Sequence, residues 1–373
     1  MKIGITCYPT YGGSGAVATE LGIALAYRGH EVHFITYRQP FRLPAFLPRV
    51  YFHEVDVGRY PLFEYPPYDL ALAVRMHEVV LAHKLDILHC HYAIPHATSA
   101  WIAKEMLAPA RPDIKVLTTL HGTDITIVGQ DPSFHAITKF SIEKSDGLTA
   151  VSHFLRQETL AAFGCTGCRI EVIPNFIDPA VYDRARYPAA RGAFGDGRPV
   201  LIHISNFRPV KRVADVVRVF ARVNAELPCV LVMVGDGPDR IVAEQEAVRL
   251  GVQDKVLFLG KIESVAPLLA SADLYLLPTE RESFGLSALE ALATGTPVVG
   301  ADVGGLPEVV ENGVTGALCP VGDVEAMADA SLRILRDPAL WTAMSHAGAA
   351  DARARYSLDD VVAHYERFYS SYL

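Results

Sequence analysis

Cysteine is scarce: the 373 residues carry six, at positions 7, 90, 165, 168, 229 and 319. That is too sparse for a disulfide framework in a chain of this length. Cys165 and Cys168 stand close together, but no second Cys or Cys/His pair lies nearby to complete a zinc site, so both are expected as reduced bystanders in a loop. No apolar run approaches the roughly 20 residues that span a bilayer. The segment Met1-Lys2-Ile3-Gly4-Ile5-Thr6 enters strand-like sequence without the apolar stretch of a signal peptide, which points to a soluble, cytoplasmic chain with no stable membrane association. An excess of basic charge is missing too. With 34 basic against 42 acidic residues the formal net charge is -8, which argues against a general affinity for nucleic acid, and an anionic substrate would need a local basic patch. Half of the chain is hydrophobic and a fifth charged, so disorder and coiled coil are disfavoured together.

What is present is a rhythm. Short β-branched runs at Lys2–Thr6, Glu31–Thr36, Ile87–His91 and Lys115–Leu120 alternate with helix-length segments, the pattern of βαβ units on a parallel sheet. It breaks at the linker-like Glu171-Val172-Ile173-Pro174-Asn175-Phe176-Ile177-Asp178-Pro179 and the Pro/Gly/Arg-rich stretch from Arg184 to Pro199. Val200–Ser205 restarts it, followed by strands at Cys229–Val234, Val256–Leu259, Leu274–Leu277 and Val298–Gly300. Two doubly wound α/β domains of Rossmann type follow, spanning 1–175 and 176–357. A terminal helix within 358–373, apolar along Val362, Tyr365, Phe368 and Tyr369, is expected to pack back on the first. In open α/β sheets ligands sit beyond the carboxyl ends of the strands, so the expected site is a cleft lined by the post-strand loops of two facing domains.

Three loops carry candidate chemistry. Tyr8 to Gly15 leads into a helix from Ala16 to Arg28, and glycines there let backbone amides approach an anion at the helix start. Gly13-x-Gly15-x-x-Ala18 fits the dinucleotide fingerprint, but the second strand ends Ile35-Thr36-Tyr37-Arg38 without the ribose-binding acid. An NADP-dependent oxidoreductase using Arg38 therefore stays as a rival. Arg208, Lys211 and Arg212 place three cations within five positions before a helix, a cluster that repels itself unless it is solvated or meets an anion. In the segment Thr279 to Pro297, Ser283 is a plausible N-cap and Gly295 a stop, and Glu290 is the one ionisable residue from Ser283 to Ala301. A lone carboxylate on so apolar a helix is expensive to bury without a partner, which suggests ligand hydroxyls.

Glu282 and Glu290, with seven residues between them and Ala293-Thr294-Gly295-Thr296-Pro297-Val298-Val299 following, resemble the glutamate pair of retaining glycosyltransferases of family 4, which have the GT-B fold. The likeness runs through the Gly12-Gly13 loop, His121-Gly122-Thr123-Asp124, Ile173-Pro174-Asn175 and Val234-Gly235-Asp236-Gly237-Pro238. Within the family, the segments Gly13 to Gly22, His89 to Ala97 and Ser205 to Arg212 resemble the branch that glycosylates L-malate in the first step of bacillithiol biosynthesis.

That resemblance implies transfer of N-acetylglucosamine from UDP-GlcNAc to the hydroxyl of L-malate with retention of the α configuration, the leaving phosphate taking the acceptor proton. Inositol phosphate is the alternative acceptor, and a UDP-sugar epimerase on the same two-domain fold is a further alternative. It gives Lys211 the donor diphosphate. Ser205-Asn206 stands where most members have Gly-Arg, which leaves Arg208 as the helper arginine. It gives Glu290 the ribose, Glu282, Ser283 and the amides of Phe284, Gly285 and Leu286 the transferred sugar, and the backbone near Gly235 and Lys261 the uracil. His121 is placed beside the anomeric centre, whereas His89 and His91 read as packing residues. For the acceptor it implies Ser14, Tyr92, Thr119, Thr123 and Asn206, with helix-terminal amides at Gly13 and Gly15 available to acceptor or diphosphate. No Asp-x-Asp triplet occurs, so no metal and no other cofactor is expected in the reaction. Homo-oligomerisation is left open.

Overall fold

The computed structural model describes residues 1–10, 12–58, 64–165, 167–188, 194 and 197–373. The chain divides into two compact units, Met1–Pro174 with Asp359–Leu373, and Asn175–Leu358.

The first unit holds a seven-stranded sheet. Its strands are β1 (Lys2–Thr6), β2 (Glu31–Thr36), β3 (Val50–Glu54), β4 (Ile87–His91), β5 (Lys115–Leu120), β6 (Gly147–Ala150) and β7 (Ile170–Val172), and the helices are α1 (Gly13–Tyr27), α2 (Tyr68–His83), α3 (Thr98–Leu107), α4 (Thr123–Thr126), α5 (Pro132–Lys144) and α6 (His153–Phe163). All pairings are parallel, in the order β3-β2-β1-β4-β5-β6-β7. Parallel strands covered on both faces read as continuous apolar runs, and β4 is buried at every residue.

The second unit repeats the plan with β8 (Val200–Ile204), β9 (Val230–Val234), β10 (Val256–Gly260), β11 (Leu274–Leu277), β12 (Val298–Ala301) and β13 (Gly316–Cys319), ordered β10-β9-β8-β11-β12-β13. Its helices are α7 (Val213–Glu226), α8 (Arg240–Arg249), α9 (Ala266–Ser271), α10 (Leu286–Ala293), α11 (Leu306–Val309), α12 (Val324–Arg336) and α13 (Pro338–Arg355). One core gathers Phe220 and Val216 of α7 with Leu231 of β9, Leu274 of β11 and Leu332 of α12.

The last helix, α14 (Leu358–Ser370), carries the chain back to the first unit. Val362, Tyr365, Phe368 and Tyr369 are all buried, Tyr369 Oη lies 2.8 Å from His89 Nδ1, and Arg28 pairs with both Asp359 and Glu366.

Three expectations are corrected. Residues 171–172 belong to strand β7 rather than to a linker. The stretch beginning at Arg184 is tied down where it is described: Arg184 donates to the carbonyls of Thr294 and Ala272 and to Thr296 Oγ1, because unpaired carbonyls after α10 need a donor. Residues 189–193, 195 and 196 of that stretch lie outside the described residues. Cys165 and Cys168 are not separate thiols but bonded to each other, with Cα atoms 5.6 Å apart.

Candidate active site

In a doubly wound sheet the crevice opens where the strand order reverses. In the first unit that point falls between β1 and β4, and in the second between β8 and β11. The loops that follow these four strands hold most of the residues singled out in the sequence, and a side-chain contact bridges each switch point.

In the first unit the bridge is Tyr92 Oη to Ser14 Oγ at 2.9 Å, from the end of β4 to the first turn of α1. Tyr92 is a non-glycine residue at φ 97, a strained conformation, and its N–H donates to Thr119 O at 2.9 Å. Burial pushes its hydroxyl up to about 12, so it remains a donor at any physiological pH. The first turn of α1 has neither a side-chain cap nor an acidic residue. Gly15 is required there by close approach, since a Cβ would lie 2.5 Å from Tyr8 O and 2.9 Å from Thr10 O. The loop therefore wraps tightly on the helix start, and its amides remain the natural anion donors of this end.

Behind Tyr92 lies a layer of imidazoles. His91 Nδ1 is 2.8 Å from His121 Nε2, and the two rings stack with centroids 5.0 Å apart. Burial, followed by His96, lowers His121 to about 3, so it is a neutral hydrogen-bonding group rather than a cation. His91 Nε2 is buried with no hydrogen-bond partner among the described residues, whereas His89 is satisfied by Thr119 and Tyr369. Thr123 opens α4 and hydrogen-bonds Tyr92. Thr119 corrects the acceptor expectation: it is fully buried within β5, and its hydroxyl lies 2.7 Å from both His89 Nε2 and Thr149 Oγ1 and 3.4 Å from Tyr365 Oη. It holds the sheet to α14 instead of facing a ligand.

Sequence reasoning passed over Asp124. Its carboxylate accepts from Ala93 N at 2.9 Å and Gly122 N at 3.0 Å, pinning the loops after β4 and β5 together. Burial raises it to about 6 although these amide bonds pull the other way. The signal was available: an acidic residue in a short loop right after a buried strand needs backbone donors.

In the second unit the bridge is ionic. Lys211 Nζ lies 2.7 Å from Glu282 Oε2, joining the turn after β8 to the loop after β11. The same loops are laced by Glu280 N to Val210 O at 2.8 Å and Thr279 Oγ1 to Val210 O at 3.0 Å. Of the three clustered cations, Arg212 is spent on Asp215 at 2.6 Å, while Arg208 is exposed and makes no ion pair among the described residues. Asn206 Oδ1 is buried without a hydrogen-bond partner there.

Glu290 is buried on α10 as expected, but part of its demand is met internally, since Tyr182 Oη donates to its Oε1 at 2.5 Å. Tyr182 lies between the run ending at Pro179 and the Pro/Gly/Arg-rich stretch from Arg184, where no motif marked its role in the sequence. The cap of α10 is Gly285 at φ 96, which corrects the reading of Ser283 as N-cap; the left-handed turn calls for glycine. Phe284 is buried edge-to-face on Tyr356, Leu286 is the first residue of α10, and exposed Lys261 follows β10. Gly235 donates its N–H to Gly260 O at 2.7 Å, so that amide is not open to a base.

The buried imidazoles make a pH prediction. His89, His96, His121 and His203 are lowered by burial to about 3, 4, 3 and 4, from an ordinary value near 6.5. Between these limits the unfolded chain binds more protons, so stability is full above pH 6.5 and falls as the pH drops. Asp124, raised to about 6, opposes this as a single group. The free energy of unfolding in urea should decline steadily from pH 6.5 to 4.5, and a rise on acidification would contradict the assignment.

Fold and site together define a GT-B glycosyltransferase. Residues 11–181 match the model described as Glycosyltransferase Family 4, and residues 189–351 that of Glycosyl transferases group 1. The chain belongs to glycosyltransferase family 4. It is 49% identical over 371 residues to N-acetyl-alpha-D-glucosaminyl L-malate synthase of Bacillus anthracis, covering 99% of this chain and 96% of that one. It is 30% identical over 303 residues to D-inositol 3-phosphate glycosyltransferase of Mycolicibacterium smegmatis, covering 77% and 68%. In structure it is similar to sucrose-phosphate synthase of Thermosynechococcus elongatus, with TM-score 0.81 at 23% identity over 100% and 98% of the two chains. The Anabaena protein HepE, solved with UDP and glucose, gives TM-score 0.79 at 21% identity over the whole of both chains. The oxidoreductase alternative falls with this family. Among the described residues, no helix is long and apolar enough to cross a membrane.

Proposed function

We propose that the chain transfers N-acetylglucosamine from UDP-GlcNAc to the hydroxyl of L-malate, giving α-linked GlcNAc-malate in the cytoplasm, as the first step of bacillithiol biosynthesis. The observation that carries the reading is the near full-length identity to the Bacillus anthracis malate synthase. The ion pair of Lys211 and Glu282 at the second switch point is consistent with it.

In this reading the donor lies on the second unit. Lys211, helped by Arg208, meets the diphosphate as charge builds on the departing phosphate, a fixed cation that needs no reorganisation. Glu282 then exchanges part of its bond to Lys211 for a hydroxyl of the transferred sugar. Glu290 serves the ribose, with Tyr182 holding the carboxylate in place. The base is taken up near Gly235 and Lys261 by groups other than the Gly235 amide. The acceptor belongs to the first unit, where Ser14, Tyr92 and Thr123 supply hydroxyls and the first turn of α1 at Gly13 and Gly15 supplies amides. A site whose donors are set for carboxylates leaves them unpaired against a neutral alcohol, which is the source of discrimination. His121, neutral, offers a hydrogen bond next to the reacting carbon.

Transfer should need no divalent metal, because in this reading Lys211 and Arg208 meet the diphosphate charge that a magnesium ion would otherwise carry. With UDP-GlcNAc and L-malate, the initial rate of UDP release should be unchanged by EDTA; a loss restored by magnesium would reject this part. Equal concentrations of L-malate, D-malate, lactate, glycerol and inositol phosphate test the acceptor. L-malate should dominate. Turnover of inositol phosphate in its place would move the chain toward the reading offered by its more distant relative, and an isomerised sugar formed without acceptor would point to an epimerase.

A further inference from the structure

A second cluster lies at the β3 edge of the first sheet, outside the loops that follow β1 and β4. His33 stands in β2, His53 in the edge strand β3, and His83 is the last residue of α2, four positions before β4 begins. One ring nitrogen from each lies within 4.8 Å of the other two. His33 Nδ1 and His53 Nε2 are 2.9 Å apart in rings tilted by only 12°, and the His83 ring centroid is 4.5 Å from that of His33 and 5.1 Å from that of His53. His33 is fully buried, while His53 and His83 are partly exposed, so the group is reached from the sheet edge.

We propose that His33, His53 and His83 form a site for one divalent transition-metal ion of the nitrogen-preferring class, zinc above all, held by three imidazoles with a water completing a tetrahedron. Two nitrogens at about 2.0 Å from a tetrahedral ion stand about 3.3 Å apart. The His33–His53 contact would open by a few tenths of an ångström and His83 would swing inward by a side-chain rotation. The second layer of such a site is already built. His33 Nε2, the nitrogen facing away from its partners, lies 3.0 Å from Glu31 Oε1, the carboxylate contact that fixes a ligating imidazole and raises its basicity. Glu31 is in turn held 3.1 Å from Lys2 Nζ, which also donates to the backbone of His83 at 3.1 Å. Tyr51 stacks on His33 with centroids 4.8 Å apart, covering one side. Three imidazoles without a carboxylate among the first ligands favour zinc, cobalt or nickel over magnesium or calcium.

The position tells what the ion would do. β3 is an edge strand that the end of α2 reaches through His83, so an ion bridging β2, β3 and the end of α2 ties the edge of the sheet to its neighbours. Its role is structural, independent of sugar transfer and of the metal-free diphosphate binding proposed above. Binding to the folded chain alone stabilises it by mass action.

The chain, stripped with chelator and exchanged into metal-free buffer, should take up one Zn2+ by titration calorimetry. With Co2+ it should show the intense visible absorption of a tetrahedral ion, displaced by Zn2+, and Zn2+ should raise the melting temperature. His53→Gln and His83→Gln, both at partly exposed positions, should each weaken binding at least tenfold, and Glu31→Gln, one layer out, about tenfold. Transfer activity at moderate temperature should be equal in all of these variants. Absence of saturable uptake at one ion per chain overturns the proposal, and so does uptake that His53→Gln and His83→Gln leave unchanged. Circular dichroism of each variant separates ligand loss from unfolding, and the magnesium salt provides the negative arm.

Discussion

Replacing Lys211 with alanine should lower kcat for UDP-GlcNAc turnover by about a hundredfold or more, the scale seen when one donor to a developing anion is removed. Two effects combine. The diphosphate loses the cation that its departing charge leans on, and Glu282 loses the partner 2.7 Å away in a partly buried loop. The second effect is separable. Lys211→Arg retains a cation but not the compact ammonium, so it should recover the Glu282 contact and part of the rate. A defect confined to KM, with kcat intact, would mean that the lysine binds substrate and transition state equally and would remove it from the chemistry.

Gly235→Ala should cost the second unit about 3 kcal/mol or more of stability, combining left-handed strain with a backbone collision. Gly235 sits at φ 120 directly after β9, and an added Cβ would lie 1.8 Å from Ser205 O, in the loop that leads to Lys211. Nothing there can yield except backbone, so the loops after β8 and β9 must part and donor affinity should fall with stability. Gly251→Ala is the matched control. It too has positive φ, 68, but an added Cβ meets nothing within 4 Å, so only the conformational cost of about 1 kcal/mol remains. Urea unfolding of the two variants and a UDP titration decide the matter. Equal losses would show that strain alone, without the Ser205 contact, accounts for the effect.

Much of the fold could be read directly. Lys2–Thr6, Glu31–Thr36, Ile87–His91, Lys115–Leu120 and Leu274–Leu277 begin and end where their apolar runs do, because a strand buried on both faces needs an unbroken one. β3 escaped notice because it is an edge strand: Tyr51, Phe52 and Glu54 are exposed, and its Val-Tyr-Phe-His-Glu carries no such run. β7 is three residues long and merged with the proline-bearing segment behind it. For the site, the cation cluster pointed to Lys211, and the family resemblance to Glu282, Ser14 and Tyr92. Thr119 looked the same from its chemistry, yet it points to the face that α14 covers. The apolar side of α14 and its return to the first unit could be read from sequence, but which strand residues it would cover could not.

The sequence by itself determined the two parallel sheets, the family, the cation cluster and the lone carboxylate on an apolar helix, since each rests on local pattern and composition. Only the tertiary structure decided which groups answer one another. Tyr182 reaches Glu290 across 108 positions, Lys211 reaches Glu282 across 71, and Tyr92 reaches Ser14 across 78. Strand order did this: by placing β4 beside β1 and β11 beside β8, it set residues far apart in the chain within hydrogen-bond range. The same order brought His33, His53 and His83 together from two strands and a helix end. No spacing in the sequence announces that triad, because its geometry exists only once the sheet has formed.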